Sequence, residues 1–169
     1  LLREEVLDDG IIMGDIAQLV YTGTAAMKTL LPCTWFYPAG FGTLGCALPD
    51  AIGAKLALPQ RQVLALVGDG GFMFTVNELA TAVEESLSIP VIIWHNHSYA
   101  MIRDGMTKRG IPEIGVNPVA PDFVKLADAF GCPGRNVRNE SEFRDALQKA
   151  FDHAGPSLII VTENDPWLV

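Results

Sequence analysis

Cysteine, positive charge and long apolar runs are all scarce in this sequence of 169 residues. The three cysteines, Cys33, Cys46 and Cys132, are widely spaced and form no C-x-x-C pair, which excludes a disulfide framework and a zinc knuckle. A reducing, cytoplasmic setting is the default for such a chain. Lys and Arg number 12 against 20 Asp and Glu, a formal net charge of −8. With no basic stripe to displace counterions, nucleic acid is excluded as a partner. The longest apolar runs, such as Ile89 to Trp94, are far too short to cross a bilayer, and no signal-peptide pattern opens the chain, so no membrane partner is expected. The opening LLREEVLDD has no initiating Met and reads as part of a helix, which suggests a piece of a longer protein.

What the sequence does have is apolar content, 49% of residues against 19% charged, enough for one compact domain that buries about 70% of its unfolded surface. Ile11 to Met13 reads as a short strand ending at Gly14, and Asp15 to Leu31 as a helix stopped by Pro32. The aromatic, glycine-rich CTWFYPAGFGTLG reads as loop. Leu44 to Leu58 is small and apolar nearly all round, the pattern of a buried helix ended by Pro59. Val63 to Val67 and Pro90 to Trp94 are continuous apolar runs, as expected of strands covered on both faces. Between them Thr75 and Glu78 have the T-x-x-E spacing of a capping box, which predicts a helix from Val76 with Leu79, Ala82, Val83 and Leu87 on one face. Phe123, Leu126, Ala127 and Phe130 mark another helix, stopped by Gly131. Asn139 and Glu142 offer a second capping box, for a helix bearing Phe143, Leu147, Ala150 and Phe151, and Ser157 to Val161 is the last strand. This alternation predicts an α/β fold, a doubly wound and mainly parallel sheet with helices on both faces. Ligands of such sheets sit at the carboxyl ends of the strands, so the loops after Val67 and after Trp94 should share one edge.

Those two loops carry the chemistry. Gly68, Gly70 and Gly71 let the backbone approach an anion closely, and a helix starting behind them offers unpaired N–H groups. Asp69 supplies a carboxylate oxygen and Asn96 an amide oxygen, ligands suited to Mg²⁺ whose remaining positions are filled by phosphate oxygens. A Mg²⁺-bridged diphosphate would satisfy both loops at once, although a D-G pair taken alone is usually a turn. His95 and His97, with no third ligand in view, read as structural rather than as a transition-metal site. A competing pattern is Gly40-Phe41-Gly42-Thr43-Leu44-Gly45, a literal G-x-G-x-x-G followed by an apolar helix and, further on, Asp69. It keeps a nicotinamide dinucleotide-binding oxidoreductase domain open as an alternative, although the fingerprint needs a buried strand before its first glycine and TWFYPAG contains Pro38. A noncatalytic binding or assembly module is a third reading.

Asn96 lies 96 − 69 = 27 positions after Asp69, and GDG followed at this distance by Asn resembles the thiamin diphosphate (ThDP) signature. The approach fits as well, with Ile52-Gly53, Pro59, Leu64 and Leu66 leading into Gly68-Asp69-Gly70-Gly71. Almost the whole chain resembles the C-terminal, diphosphate-binding domain of the acetolactate synthase and 2-oxo acid decarboxylase family. That resemblance implies the ThDP-binding fold, one domain over residues 1–169 cut from a longer enzyme, and ThDP with Mg²⁺ as cofactors. It implies that Asp69 and Asn96 bind Mg²⁺ through their side chains and Ser98 through its carbonyl, and that Gly70 and Gly71 meet the diphosphate with Gln18 of GDIAQ nearby. Leu44 matches the wedge between the two cofactor rings, which gives it a direct part in catalysis, and the carbonyl of Gly42 matches the acceptor for the 4′-amino group. Met101, just after the metal loop, is expected to line the pocket. The glutamate that protonates the aminopyrimidine belongs to a separate pyrimidine-binding domain, normally on a partner subunit of a homodimer or tetramer. The isolated chain is therefore expected to be inactive, and the substrate of the whole enzyme to be a small 2-oxo acid. GTLGCALPDAIGAKLA, GDGGFMFTVNELATAV and RGIPEIGVNP are similar to the 2-ketoarginine (5-guanidino-2-oxopentanoate) decarboxylase branch, with acetolactate synthase proper as the alternative. The synthases carry a Trp about where Gly105 stands, and most relatives have Asn in place of His95.

Overall fold

The computed structural model describes residues 1–168. Its strands are β1 (Ile11–Gly14), β2 (Trp35–Phe36), β3 (Val63–Gly68), β4 (Ile89–His95), β5 (Gly134–Val137) and β6 (Pro156–Thr162). Its helices are α1 (Leu2–Glu5), α2 (Gln18–Ala26), α3 (Ala47–Ala57), α4 (Asp69–Phe72), α5 (Glu78–Glu84), α6 (Ala100–Lys108), α7 (Phe123–Ala129) and α8 (Glu140–Asp152). Every strand pairing is parallel, and the order across the sheet is β2-β1-β3-β4-β6-β5.

Strand alternation divides the core between two faces. Val63, Ala65 and Val67 of β3 pack with α3, α5 and α7 on one side, while Leu64 and Leu66 pack with α2 and α8 on the other. Helices cover both faces, so the sheet is doubly wound and its central strands read as unbroken apolar runs. Full burial of a side chain such as Leu64 or Leu66 stabilises the fold by about 1.5–3 kcal/mol each.

Several local expectations give way to tertiary contacts. The helix expected over 15–31 covers only Gln18–Ala26, and Met27 is already extended at φ −76°, ψ 125°. Within it the Trp35 ring packs so closely on Gly23 that a Cβ there would lie 2.4 Å from a ring carbon. Trp35 and Phe36, read as loop, form the edge strand β2 through the register Ile12↔Trp35. Helix α3 starts at Ala47 rather than Leu44, because Gly45 sits at φ +83° and breaks the helical path before it. Neither β5 nor α6 was anticipated from the pattern. β5 depends on Gly134, where a Cβ would lie 2.7 Å from the Cβ of Ala127 in α7.

The two capping boxes part company. Asn139 does cap α8, accepting from the Glu142 N–H at 2.8 Å, while the Glu142 carboxylate accepts from the Arg138 N–H at 3.0 Å. Thr75 does not cap. Helix α5 starts at Glu78 after Asn77 with no side-chain cap, and the Thr75 hydroxyl instead donates to the carbonyl of Gly45 at 2.8 Å.

From β1 the chain runs outward to β2 and then returns past β1 to β3. The switch point therefore lies between β1 and β3, and the loops after β1, β3 and β4 open along one edge.

Candidate functional site

A cavity of about 260 Å³ lies on that edge. Gln18 reaches it from the start of α2, Gly42 and Leu44 from the loop before α3, and Asp69, Gly70 and Gly71 from α4. Asn96 and Ser98 reach it from the loop after β4, and Met101 from the start of α6. All nine candidate residues thus meet around one space, although they are spread over residues 18–101 of the chain.

The floor of the cavity admits only glycine. A Cβ on Gly70 would lie 2.4 Å from the Tyr99 ring, and one on Gly71 would lie 2.9 Å from a carboxylate oxygen of Asp15 and 3.5 Å from the Leu44 side chain. The chain leaves β3 extended at Gly68 and turns directly into α4 at Asp69. The carboxylate is thereby carried to the strand end and buried at 3% exposure.

Asp69 joins the two chemical loops. Its Oδ1 accepts from the Gly70 N–H at 2.8 Å, while Oδ2 accepts from the backbone N–H of Asn96 at 3.1 Å and of His97 at 2.6 Å. His97 takes a left-handed φ of +56°. The neighbouring amide oxygen of Asn96 accepts from the Ser98 N–H at 3.2 Å, and the Ser98 hydroxyl accepts from Arg103 at 2.9 Å. Side-chain oxygens of Asp69 and Asn96 together with a backbone carbonyl make a hard donor set, the kind that suits Mg²⁺.

His95 donates through Nδ1 to Asp69 Oδ2 at 3.0 Å. Its ring stacks at a tilt on His97, with centroids 3.9 Å apart, and meets the edge of Phe123 at 5.3 Å. Burial, helped by the adjacent His97, holds its pKa below the ordinary imidazole value, with Asp69 pulling the other way. A neutral imidazole with one N–H committed to Asp69 is therefore the form this site favours.

Among the residues that the sequence reading did not assign to the site, Tyr99 lines the cavity, as do Tyr21 and Trp94, while Asp15 and Thr75 stand behind it. Asp15 is wholly buried, its Oδ1 accepting from the Ile16 N–H at 2.7 Å and its Oδ2 from the Gly45 N–H at 2.8 Å. Burial lifts its carboxyl above the usual carboxylate range, and the two backbone donors only partly offset that. Thr75 takes the other side of the same peptide segment through the Gly45 carbonyl. Tyr99 lies on Gly70. Asp15 was legible in principle, since it stands at a strand end before a helix just as Asp69 does. Nothing local marks Thr75 or Tyr99.

Residues 15–161 match the family described as thiamine pyrophosphate enzyme, C-terminal TPP binding domain. The probable 2-ketoarginine decarboxylase AruI of Pseudomonas aeruginosa is 45% identical over 152 residues, which are 89% of this chain and 27% of that protein. The acetolactate synthase isozyme 1 large subunit of Escherichia coli (strain K12) is 32% identical over 157 residues, 91% of this chain and 28% of that one. The solved thiamine diphosphate-dependent 4-hydroxybenzoylformate decarboxylase of Rhodococcus jostii RHA1 superposes with a TM-score of 0.87 at 30% identity, over 96% of this chain and 31% of its own. The chain spans about a quarter of the length of these curated relatives. The family match replaces the dinucleotide-binding alternative. The fold agrees, because the strand immediately before Gly40 is the two-residue edge strand β2, separated from it by a turn in which the Ala39 N–H donates to the Tyr37 carbonyl at 2.8 Å.

Proposed function

The chain belongs to the thiamine pyrophosphate enzymes, as their C-terminal TPP-binding domain, and on that premise we propose that its cavity holds the diphosphate of ThDP through a Mg²⁺ ion. In this reading the whole enzyme decarboxylates a small 2-oxo acid. The observation that carries it is the convergence of nine residues from separate loops on one glycine-floored space that also presents the Asp69 and Asn96 oxygens. The residues present fit the group, since the floor leaves room only for backbone at Gly70 and Gly71 and the oxygen donors are those a hard cation takes.

Asp69 and Asn96 hold Mg²⁺ through their side chains and Ser98 through its carbonyl, while Gly70 and Gly71 give the diphosphate close backbone approach and Gln18 stands beside it. Leu44 would stand between the two rings of the cofactor, and the Gly42 carbonyl would accept from its 4′-amino group. Met101 lines the pocket beside the metal loop. When bound, ThDP supplies the electron sink for loss of carbon dioxide from a 2-oxo acid, and the protein contributes geometry and electrostatics.

The other half of the active site, with the glutamate that protonates the aminopyrimidine, is assigned to a pyrimidine-binding domain of a partner subunit in a homodimer or tetramer. The isolated chain is then inactive. Exposed apolar side chains on the site's own loops support that cover: Phe41 is 95% exposed and Phe74 60%. For the substrate, the 45% identity to a probable 2-ketoarginine decarboxylase, against 32% to an acetolactate synthase, favours 5-guanidino-2-oxopentanoate. Acetolactate synthesis from pyruvate is the second reading.

The test is binding and turnover by the full-length enzyme. ThDP should bind only with Mg²⁺ present, NAD should not bind, and 5-guanidino-2-oxopentanoate should be decarboxylated in preference to pyruvate. ThDP binding indifferent to Mg²⁺ would remove the metal bridge from the account, and a preference for pyruvate with release of acetolactate would establish the second reading.

A further inference from the structure

We infer that Asp15 and Thr75 act together as a clamp on the peptide segment of Gly45, and that this clamp is what sets the position of Leu44 in the site. The inference rests on the role given to Leu44 above. Asp15 and Thr75 are positioning residues, since they act through Gly45 rather than on the cofactor.

Gly45 is held at both ends. Its N–H donates to Asp15 Oδ2 at 2.8 Å and its carbonyl accepts from the Thr75 hydroxyl at 2.8 Å. Its φ of +83° favours glycine, and an added Cβ would lie 2.8 Å from the Cβ of Phe74 and 3.2 Å from the Cγ2 of Thr75. The segment is thus pinned by two hydrogen bonds and by a wall with no slack. Leu44 is the next residue along the chain, half-buried, with its side chain 3.5 Å from where a Cβ of Gly71 would stand. The other restraints on this loop are local or weak. The Gly42 N–H donates to the Pro38 carbonyl at 2.8 Å, the Thr43 hydroxyl donates only to the adjacent Leu44 carbonyl, the Cys46 thiol makes a long contact of 3.8 Å to the Gly14 carbonyl, and Gly40 and Gly42 have nothing within 4 Å of a virtual Cβ.

The clamp also couples the loops that must agree. Asp15 Oδ1 accepts from the Ile16 N–H after β1, Oδ2 accepts from Gly45, and the same Oδ2 lies within 2.9 Å of the Cβ position of Gly71 on the cavity floor. Thr75 adds the segment after α4. The distance between the Leu44 side chain and the glycine floor is therefore defined by one wholly buried carboxylate and one hydroxyl. A buried carboxyl group suits the task, because its two oxygens accept from the N–H groups of two separate loops at once. The same geometry accounts for the T-x-x-E motif that caps no helix: the hydroxyl is engaged elsewhere.

The test uses the full-length enzyme and the variants Thr75→Val, Thr75→Ser and Asp15→Asn. Without cofactor or metal, hydrogen exchange followed by mass spectrometry should show the peptide containing Gly45 exchanging at least ten-fold faster in Thr75→Val than in wild type, with Thr75→Ser restoring protection. With ThDP and Mg²⁺, Thr75→Val should hold its half-saturating ThDP concentration within about three-fold while kcat falls by about ten-fold or more, since a misplacement near 1 Å can cost up to about 100-fold. Asp15→Asn should follow the same split more strongly. Unchanged exchange at Gly45 in Thr75→Val would overturn the clamp. Faster exchange with kcat unaltered, or with kcat and ThDP affinity lost in parallel, would overturn its positioning of Leu44. Wild-type enzyme that bound no ThDP would sink the cofactor reading and the positioning role with it, while the exchange measurement would still report on the clamp.

Discussion

The regions around Thr75 and Asn139 carry the same local motif and use it differently. At Asn139 the cap forms as its spacing predicts, the side chain accepting from the Glu142 N–H at the start of a thirteen-residue helix, while the Glu142 carboxylate reaches back one residue further, to the Arg138 N–H. At Thr75 the hydroxyl is taken by the Gly45 carbonyl, thirty positions away, and α5 begins three residues later uncapped. Asn139 is exposed just after the edge strand β5, where its hydrogen bonds are local, whereas Thr75 is half-buried within reach of the Gly45 carbonyl. A capping hydrogen bond is worth about 1 kcal/mol, so a tertiary acceptor of equal strength in a half-buried position displaces it without difficulty. The local rule therefore holds where nothing else wants the side chain.

That contrast can be broken at several points. The largest effect is expected at Asp69, whose removal takes away the carboxylate proposed to hold Mg²⁺ and leaves the N–H groups of Asn96 and His97 without their acceptor. Asp69→Ala in the full-length enzyme should weaken Mg²⁺-dependent ThDP binding by about 100-fold or more, beyond the range typical of outer-shell changes. Titration calorimetry giving unchanged affinity would refute the metal assignment. Next comes Gly45→Ala, which meets both a positive φ and the Phe74 wall. It should destabilise the domain by about 2–4 kcal/mol, and chemical denaturation showing less than about 1 kcal/mol would mean that the segment has more freedom than its contacts indicate. Asn139→Ala should cost only about 1 kcal/mol, a fall of about 2–4 °C in melting temperature, and leave ThDP affinity untouched. Loss of ThDP affinity in that variant would erase the distinction between the two regions.

The smallest effect is a pH dependence. Because burial raises the folded-state pKa of Asp15 above its unfolded value, the stability it contributes is present in full below the ordinary carboxylate pKa of about 3.9. It is lost as the pH rises through the raised value. The unfolding free energy of wild type, relative to Asp15→Asn, should therefore decline from about pH 4 upward and level off once the folded-state carboxyl is ionised. A difference independent of pH would mean that Asp15 has an ordinary pKa in the fold.

Much of the fold was legible because the central strands are buried on both faces and so read as apolar runs. Val63–Val67, Pro90–Trp94 and Ser157–Val161 all lie within observed strands. The short edge strands β2 and β5 escaped because they pair on one side only and carry little apolar pattern. For the site, the spacing of Asp69 to Asn96 and the GFGTLG stretch named residues that do meet in one cavity. Asp15, Thr75 and Tyr99 were not named, because their roles consist of contacts with Gly45, Gly71 and Gly70, which lie 29 to 56 positions away.

By itself the sequence determined the class of fold, the two chemical loops and the family, because apolar periodicity, glycine at strand ends and the Asp69–Asn96 interval are all properties of the chain read in order. Tertiary structure alone decided where the Thr75 hydroxyl goes, how Asp15 spans two loops and why Gly45, Gly70 and Gly71 tolerate no side chain. The physical reason is competition: each polar group accepts the best partner within reach, and packing brings within reach groups that no local window contains.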